Sequence, residues 1–221
     1  MAHQVETMAY AGETPWHGLG TRVSNDLSVD EMLVQSGLNW KVNALPVVGK
    51  LASGEEIKSD HKMLVRDTDN KQLTMITDKW NPVQNHEAFD FFREFTEQGS
   101  MEMHTAGSLQ GGRWVWVLAK VSESFELFGG DKVDSYLLFS NPHIYGRGVE
   151  IRFTPTRVVC NNTLTLSLDA STDNKVRLNH RSTFDADMVK ETLGIAKEKM
   201  AKYKEMAKFL GSKSYKKEIV A

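Results

Sequence analysis

The sequence has little cysteine and no long apolar run. Cys160 is the one cysteine among 221 residues, so an internal disulfide is excluded, as is usual in a reducing compartment. No stretch approaches the roughly eighteen apolar residues of a transmembrane helix. The N-terminus lacks the basic and apolar segments of a secretory signal. We therefore expect a soluble, cytoplasmic protein that does not bind a membrane.

Signatures of metal, phosphate-loop and nucleophilic chemistry are also missing. The seven histidines are scattered, with none at a metal-ligand spacing from another His or from Cys. The glycine-rich segment Gly107 to Gly112 is not followed by the Lys-Ser/Thr pair of a P-loop. Val158 and Val159 beside Cys160 favour a buried thiol over an activated nucleophile. The sequence thus predicts no metal, no cofactor and no enzymatic activity.

Charge is unevenly distributed along the chain. Residues 1–140 carry 12 Lys/Arg and 20 Asp/Glu, a net charge of -8, whereas residues 141–221 carry 15 and 9, a net charge of +6. A basic C-terminal part on a mildly acidic chain predicts a local anion-binding face. The alternative is a solvated, Lys-rich final helix, because nine of the fifteen cations follow Ser182.

Hydrophobic periodicity predicts an α+β fold. Ser28 to Gly37 is typical of a short helix with a capping box at Ser28 and Glu31, and Asn85 to Gln98 is typical of a second helix. The predicted strands are rich in branched and aromatic residues. They are Trp40 to Val48, Ile57 to Arg66, Leu73 to Thr77, Arg113 to Val121, Tyr136 to Ser140, Val149 to Phe153 and Thr163 to Leu168. The segment before Thr163 also fits a helix that begins after Thr156.

A long amphipathic helix is predicted near the C-terminus. Apolar residues from Val189 to Leu210 alternate three and four apart, a pattern typical of a helix that docks on its own sheet or on another subunit. No repeat, low-complexity tract or Pro/Gly-rich linker divides the chain. We therefore predict one α+β domain, residues 1–211, and a loosely ordered tail, residues 212–221.

The strongest candidate site is a set of basic residues in the second half of the chain. Guanidinium groups present forks of donors that suit phosphate or carboxylate. Arg152 and Arg157 would face opposite sides of one regular strand, so they converge only if Pro155 ends that strand. The alternative is a set of surface ion pairs with the acidic N-terminal part. The candidates are Arg147, Arg152, Arg157, Lys175, Arg177, His180 and Arg181.

Neutral residues extend this candidate site. Asn161 and Asn162 offer hydrogen-bonding groups for a sugar, a phosphate or a base edge. Trp114 and Trp116 share one face of their predicted strand, where they would either stack on bases or fill the core. Trp16 and His17, in a tight turn, would either touch a ligand or plug the end of the sheet.

Several motifs give the sequence a wider resemblance. They are TPWHGLG at Thr14 to Gly20, KWNPVQNHEAFDFF at Lys79 to Phe92, GGRWVWVLAK, FTPTRVVCNNTL and LNHRSTF at Leu178 to Phe184. Together they resemble a family of phage- and plasmid-borne proteins described as a domain of unknown function. The arrangement of elements is also similar to that of the single-strand annealing recombination proteins of phages.

The second resemblance implies a fold and a function. It implies a curved antiparallel sheet packed with helices, assembly into a ring or filament, and a basic groove for DNA. The expectation is therefore a non-enzymatic homo-oligomer that binds single-stranded DNA and promotes annealing in recombination or replication. The alternative is a module that binds a small anionic ligand such as a nucleotide and counters host defence.

Overall fold

The computed structural model describes residues 2–122, 125–127, 131–170 and 175–193, which form an α+β fold. A 3-10 turn at Ala2–Gln4 precedes the first strand. The strands are β1 Val5–Tyr10, β2 Thr21–Arg22, β3 Val42–Lys50, β4 Glu56–Arg66, β5 Gln72–Thr77, β6 Met101–Leu109, β7 Trp114–Val121, β8 Phe125–Leu127, β9 Asp131–Val133, β10 Tyr136–Pro142, β11 Val149–Thr154 and β12 Lys175–Leu178. The helices are α1 Val29–Gln35, α2 Asn85–Glu97 and α3 Asn161–Asp169, and residues 186–193 are also helical.

The largest sheet is open and has seven strands in the order β12-β11-β10-β7-β6-β1-β2. Its neighbouring strands are antiparallel except for β1 and β2, which are parallel. The predicted antiparallel sheet is thus confirmed for five of its six strand pairs, and the parallel pair β1–β2 makes the sheet mixed. The reason is the long connection between Tyr10 and Thr21, since a parallel pair needs a crossover of many residues whereas a hairpin does not.

A smaller antiparallel sheet, β3-β4-β5, packs beside the large one, and β8 pairs with β9. The three strands of the smaller sheet confirm the predictions for Trp40 to Val48, Ile57 to Arg66 and Leu73 to Thr77. Strands β3 and β4 continue past the end of β5 as a hairpin, because β4 pairs with β5 only between His61 and Val65.

The two predicted helices are confirmed as α1 and α2. The hydroxyl of Ser28 accepts a hydrogen bond from the Glu31 backbone N–H, and the Glu31 carboxylate accepts one from the Ser28 N–H at 3.0 Å. This reciprocal cap satisfies two of the backbone donors that a helix start leaves free. Phe89 and Phe92 of α2 are buried against the large sheet.

Each face of the large sheet carries its own core. Alternation along β7 shows the division, because successive side chains of a strand point to opposite faces. Val115, Val117 and Ala119 pack in the core that also contains α1, α2 and the smaller sheet. Trp116 and Leu118 pack in the second core, beneath α3. Arg152 of β11 pairs with Leu138 of that second core, so its side chain is directed toward α3.

The alternatives at Thr163 resolve in favour of a helix. α3 begins at Asn161, and the Thr163 hydroxyl accepts hydrogen bonds from the backbone N–H groups of Val159 (2.9 Å) and Cys160 (3.0 Å). The strand predicted at Thr163 to Leu168 is therefore wrong. Ser and Thr side chains often make such local bonds to the backbone at a helix start. This bonding explains why a segment with the residues of a strand forms a helix.

Part of the predicted C-terminal helix lies within the described residues. Val189 and Leu193 of the helical segment 186–193 are buried in the core around α2. Lys190 forms an ion pair with Glu94 of α2. The rest of the predicted heptad, up to Leu210, and the predicted tail at residues 212–221 lie outside the described residues. Among the described helices, none has the length and apolar character needed to cross a membrane.

Candidate functional site

A basic groove lies at one edge of the large sheet, where β12 ends. It has a volume of about 520 Å³ and is formed by three segments that are far apart in the sequence. These segments are the end of β5 with the residues after it, the turn between β10 and β11, and the end of β12 with the residues after it. The residues that line it include Trp80, Tyr145, Arg147, Arg177, His180 and Arg181.

Glycines bring the β10–β11 turn close to β12. Gly146 has a φ of 82°, a left-handed conformation that glycine adopts without steric cost. The Arg147 N–H donates to the Ile144 carbonyl at 3.1 Å, which closes the turn. A Cβ atom on Gly148 would lie 2.5 Å from the Leu178 carbonyl oxygen. Only glycine therefore permits this approach, which places Arg147 and Arg177 beside the same groove.

His180 anchors the segment that carries Arg181. The ring is 2% exposed and stacks on Trp80. Its Nδ1 lies 3.0 Å from the Asn81 carbonyl, and the His180 carbonyl accepts a 2.6 Å bond from the Asn81 N–H. Burial lowers the pKa of His180, although the carbonyls of Asn81 and Pro142 oppose this effect. Contrary to the prediction for His180, its enclosed ring is not open to a DNA strand, and the residue instead fixes the segment that carries Arg181.

The three arginines of the groove are open to solvent. Arg147, Arg177 and Arg181 are exposed, and within the described part of the chain none of them forms an ion pair. The described lining of the groove includes no carboxylate. Arg147 also lies over Trp114, with 5.9 Å between Cζ and the ring centroid. The predicted anion-binding cations are therefore partly gathered on one surface.

Arg152 has a different role. It is 1% exposed, and its guanidinium donates to the carbonyls of Ser167 and Ala170 at the end of α3. It also lies 3.2 Å from the Glu150 carboxylate. Burial lowers the pKa of Arg152. The predicted phosphate contact is wrong here, because the side chain satisfies helix-end carbonyls, which attract cations.

Arg157 and the remaining polar candidates do not line the groove. Arg157 Nη2 donates to the carbonyls of Ala11 (3.0 Å) and Glu13 (2.6 Å), and so it fastens the loop between β1 and β2. Asn161 and Asn162 begin α3, on the second face of the sheet. Lys175 is exposed at the other end of β12.

The two tryptophans of β7 differ in exposure. Trp116 is 0% exposed and its Nε1 donates to the Thr105 hydroxyl at 3.2 Å, so the prediction that it stacks on bases is wrong and the core alternative holds. Trp114 is half-buried, with Nε1 donating to the Ser140 hydroxyl at 2.7 Å. Its ring supports Arg147 at the margin of the groove.

The TPWHGLG turn packs against the start of α3. The Leu19 N–H donates to His17 Nδ1 at 3.1 Å, and His17 Nε2 lies 3.0 Å from the Val159 carbonyl oxygen. His17 therefore joins this turn to the backbone just before α3, which is a structural role. Trp16 is 70% exposed and lies beside His3. Cys160 is fully buried below this turn, as a structural thiol is.

Sequence reasoning missed Tyr145 and Trp80. Tyr145 is 49% exposed and stands beside Arg147. Tyr145 could have been predicted as a candidate, because an aromatic residue in the turn between β10 and β11 has no core to fill. Among the described residues, no group of His, Cys, Asp or Glu side chains has the proximity needed to hold a metal ion.

The fold and the groove thus define an α+β protein with an open, arginine-lined site at a sheet edge. The family model described as "Domain of unknown function (DUF932)" matches residues 72–220, a range that includes every lining residue of the groove. The chain belongs to this family. Searches of the curated proteins and of the solved structures gave no match.

Proposed function

We propose that this protein binds single-stranded DNA through the basic groove and promotes annealing as a homo-oligomer in the cytoplasm of the host cell. The observation that carries the proposal is that Arg147, Arg177 and Arg181 line one groove without a carboxylate among its described lining residues. Uncompensated guanidinium groups favour an anionic ligand.

The aromatic lining supports a nucleic acid over a simple anion. Tyr145 exposes half of its side chain at the groove, next to Arg147. Proteins that bind single strands combine cations along the backbone with aromatic rings on which bases stack. The groove has both kinds of group within one surface.

The salt dependence of binding tests this proposal. Binding of a labelled oligo-dT should weaken as salt rises, because cations are released from the strand, with a slope of log K against log salt of about -0.7 per phosphate contacted. Three arginine contacts therefore predict a slope of about -2. No binding at about 50 mM salt, or a flat salt dependence, would contradict it.

A matched pair of variants locates the interaction. Arg177→Gln should weaken binding and make the slope shallower by about 0.7. Arg22→Gln removes the same charge from exposed β2, at the opposite edge of the sheet from β12. The Arg22 variant should bind as the unmodified protein does.

Annealing and assembly are the finer part of the proposal. Annealing and assembly rest on the architectural resemblance to phage annealing proteins, which is an analogy. Those proteins combine a curved sheet with a long helix and assemble into rings or filaments. Native mass spectrometry with and without oligo-dT tests assembly, and a fluorescence assay with two complementary strands tests annealing. A monomer that leaves the annealing rate unchanged would contradict this part.

The volume of the groove favours a second candidate, a site for a free nucleotide. About 520 Å³ lies within the usual range of small-ligand sites, about 300–1,000 Å³. A monomer whose melting temperature rises with added nucleotide, and which does not bind oligo-dT, would favour this candidate.

A further inference from the structure

We infer that the groove recognises a terminal phosphate, a phosphomonoester, with Tyr145 stacking on the adjacent base. This inference rests on the proposed binding of single-stranded DNA and specifies which part of the strand the groove holds. Three observations carry it: the charge of the groove, its size and the place of its exposed aromatic ring.

The charge of the groove exceeds that of one internal phosphate. Arg147, Arg177 and Arg181 bring three positive charges, and no carboxylate of the described residues lines the groove. An internal phosphodiester carries a single negative charge, whereas a phosphomonoester carries about -1.5 to -2 at neutral pH. A terminal phosphate also has three free oxygens, which can accept from several guanidinium forks at once.

The groove is too small for a long stretch of strand. Sites on single-strand-binding domains span about 4–16 nucleotides. A volume of about 520 Å³ is instead typical of a small-ligand site. A groove of this size accommodates the end of a strand with its first base, while the rest of the strand leaves through the open side.

The position of Tyr145 matches this arrangement. It lies two residues before Arg147 in the β10–β11 turn, and both side chains line the groove. Tyr145 is 49% exposed, so its ring offers a stacking face to the base next to a phosphate that Arg147 holds. The enclosed rings of Trp80 and His180, which also belong to the lining, fix the segment of Arg181.

The decisive experiment compares strands that differ only at their ends. Full-length protein would be titrated by fluorescence anisotropy with an internally labelled oligo-dT that carries a 5′ phosphate, a 3′ phosphate or hydroxyl groups at both ends. Unlabelled dTMP would be tested as a competitor. We expect one phosphorylated end to bind about tenfold or more tightly than the hydroxyl form, because charge-assisted bonds are added.

Variants assign the preference to the groove. Arg177→Gln and Arg181→Gln should lose the preference for the phosphorylated end, and Tyr145→Ala should weaken binding of all strands. Arg22→Gln should keep both the affinity and the preference. The substituted groove side chains are exposed, and circular dichroism of each variant confirms that it folds.

The outcomes separate this inference from the proposed function. Equal, Arg177-dependent binding of phosphorylated and hydroxyl strands would overturn the terminal-phosphate inference and leave single-strand binding in place. Binding of dTMP without binding of any oligo-dT would overturn both the strand-end inference and the proposed function. If the protein binds neither dTMP nor any oligo-dT, the strand-end inference and the proposed function are both overturned.

Discussion

The imidazole ring of His180 stacks on the indole ring of Trp80, with centroids 4.0 Å apart and 22° between the ring planes. This stack joins the segment after β12 to the segment after β5. Asn179, which precedes His180, accepts a 2.9 Å hydrogen bond from the Arg181 N–H through its Oδ1. Arg181 is therefore positioned by its neighbours before any ligand binds.

Replacing His180 should cost both stability and binding. His180→Ala loses the ring stack and the bond to Asn81, and we expect the free energy of unfolding to fall by about 2 kcal/mol. Urea denaturation measures this change. Oligo-dT affinity should also fall in the folded variant, since Arg181 is no longer held. Unaltered affinity would contradict a positioning role.

Replacing Arg152 should lower stability without changing the affinity for oligo-dT. Arg152→Ala leaves Glu150 and the α3 carbonyls without their buried partner, so we expect a loss of about 3 kcal/mol in unfolding free energy. Oligo-dT affinity, measured where the variant remains folded, should not change. Adding Glu150→Gln should restore part of the stability, because the unpaired carboxylate is removed. Full stability of Arg152→Ala would contradict its observed role.

Two glycines provide a matched test of close packing. A Cβ on Gly148 would meet the Leu178 carbonyl at 2.5 Å, whereas a Cβ on Gly49 would meet nothing nearer than 3.9 Å. Gly148→Ala should lower the unfolding free energy by about 1–3 kcal/mol and weaken oligo-dT binding. Gly49→Ala should do neither. Thermal denaturation and anisotropy measure the two effects.

The capping box of α1 gives a smaller effect on stability. Ser28→Ala removes the hydroxyl that accepts from the Glu31 N–H, and we expect a loss of about 1 kcal/mol by urea denaturation. The exposed Ser182→Ala serves as the control and should be neutral. Oligo-dT binding should be retained in both, because neither residue lines the groove.

Buried histidines make stability depend on pH. Burial lowers the pKa of His143 to about 3 and that of His104 to about 4, whereas an unfolded histidine titrates near 6.5. Between these values the unfolded chain binds more protons, so stability is lost as the pH falls from about 6.5. The unfolding free energy of His143→Gln should be measured with urea from pH 6.5 to 4.5. Its slope against pH should be shallower than that of the unmodified protein by the equivalent of up to one bound proton. An unchanged slope would contradict the burial of a neutral ring.

Local patterns predicted much of the fold. The alternation of branched and aromatic residues predicted β7, and the pair Ser28 and Glu31 predicted the start of α1. The break at Pro155 was also predictable, since β11 ends at Thr154. The parallel pairing of β2 was not, because two residues carry no periodicity and the pairing is set by where the preceding loop returns.

The site was predictable only in part. Arg147, Arg177 and Arg181 converge because the start of β11 pairs with the end of β12. This pairing brings the turn before β11 beside the residues that follow β12. Arg152 and Arg157 diverge because α3 covers one face of the sheet and the β1–β2 loop offers free carbonyls. The spacing in the sequence predicted which residues of a strand share a face. It did not predict which face of the sheet α3 would cover.

The wide sequence separation of the three groove segments also affects folding. Trp80, Arg147 and Arg181 meet only after strands distant in the chain have paired, and such non-local contacts form slowly. The unfolded chain therefore has no partial version of this site. A ligand that binds it selects the native state by mass action, so the denaturation midpoint of the chain should rise with ligand concentration.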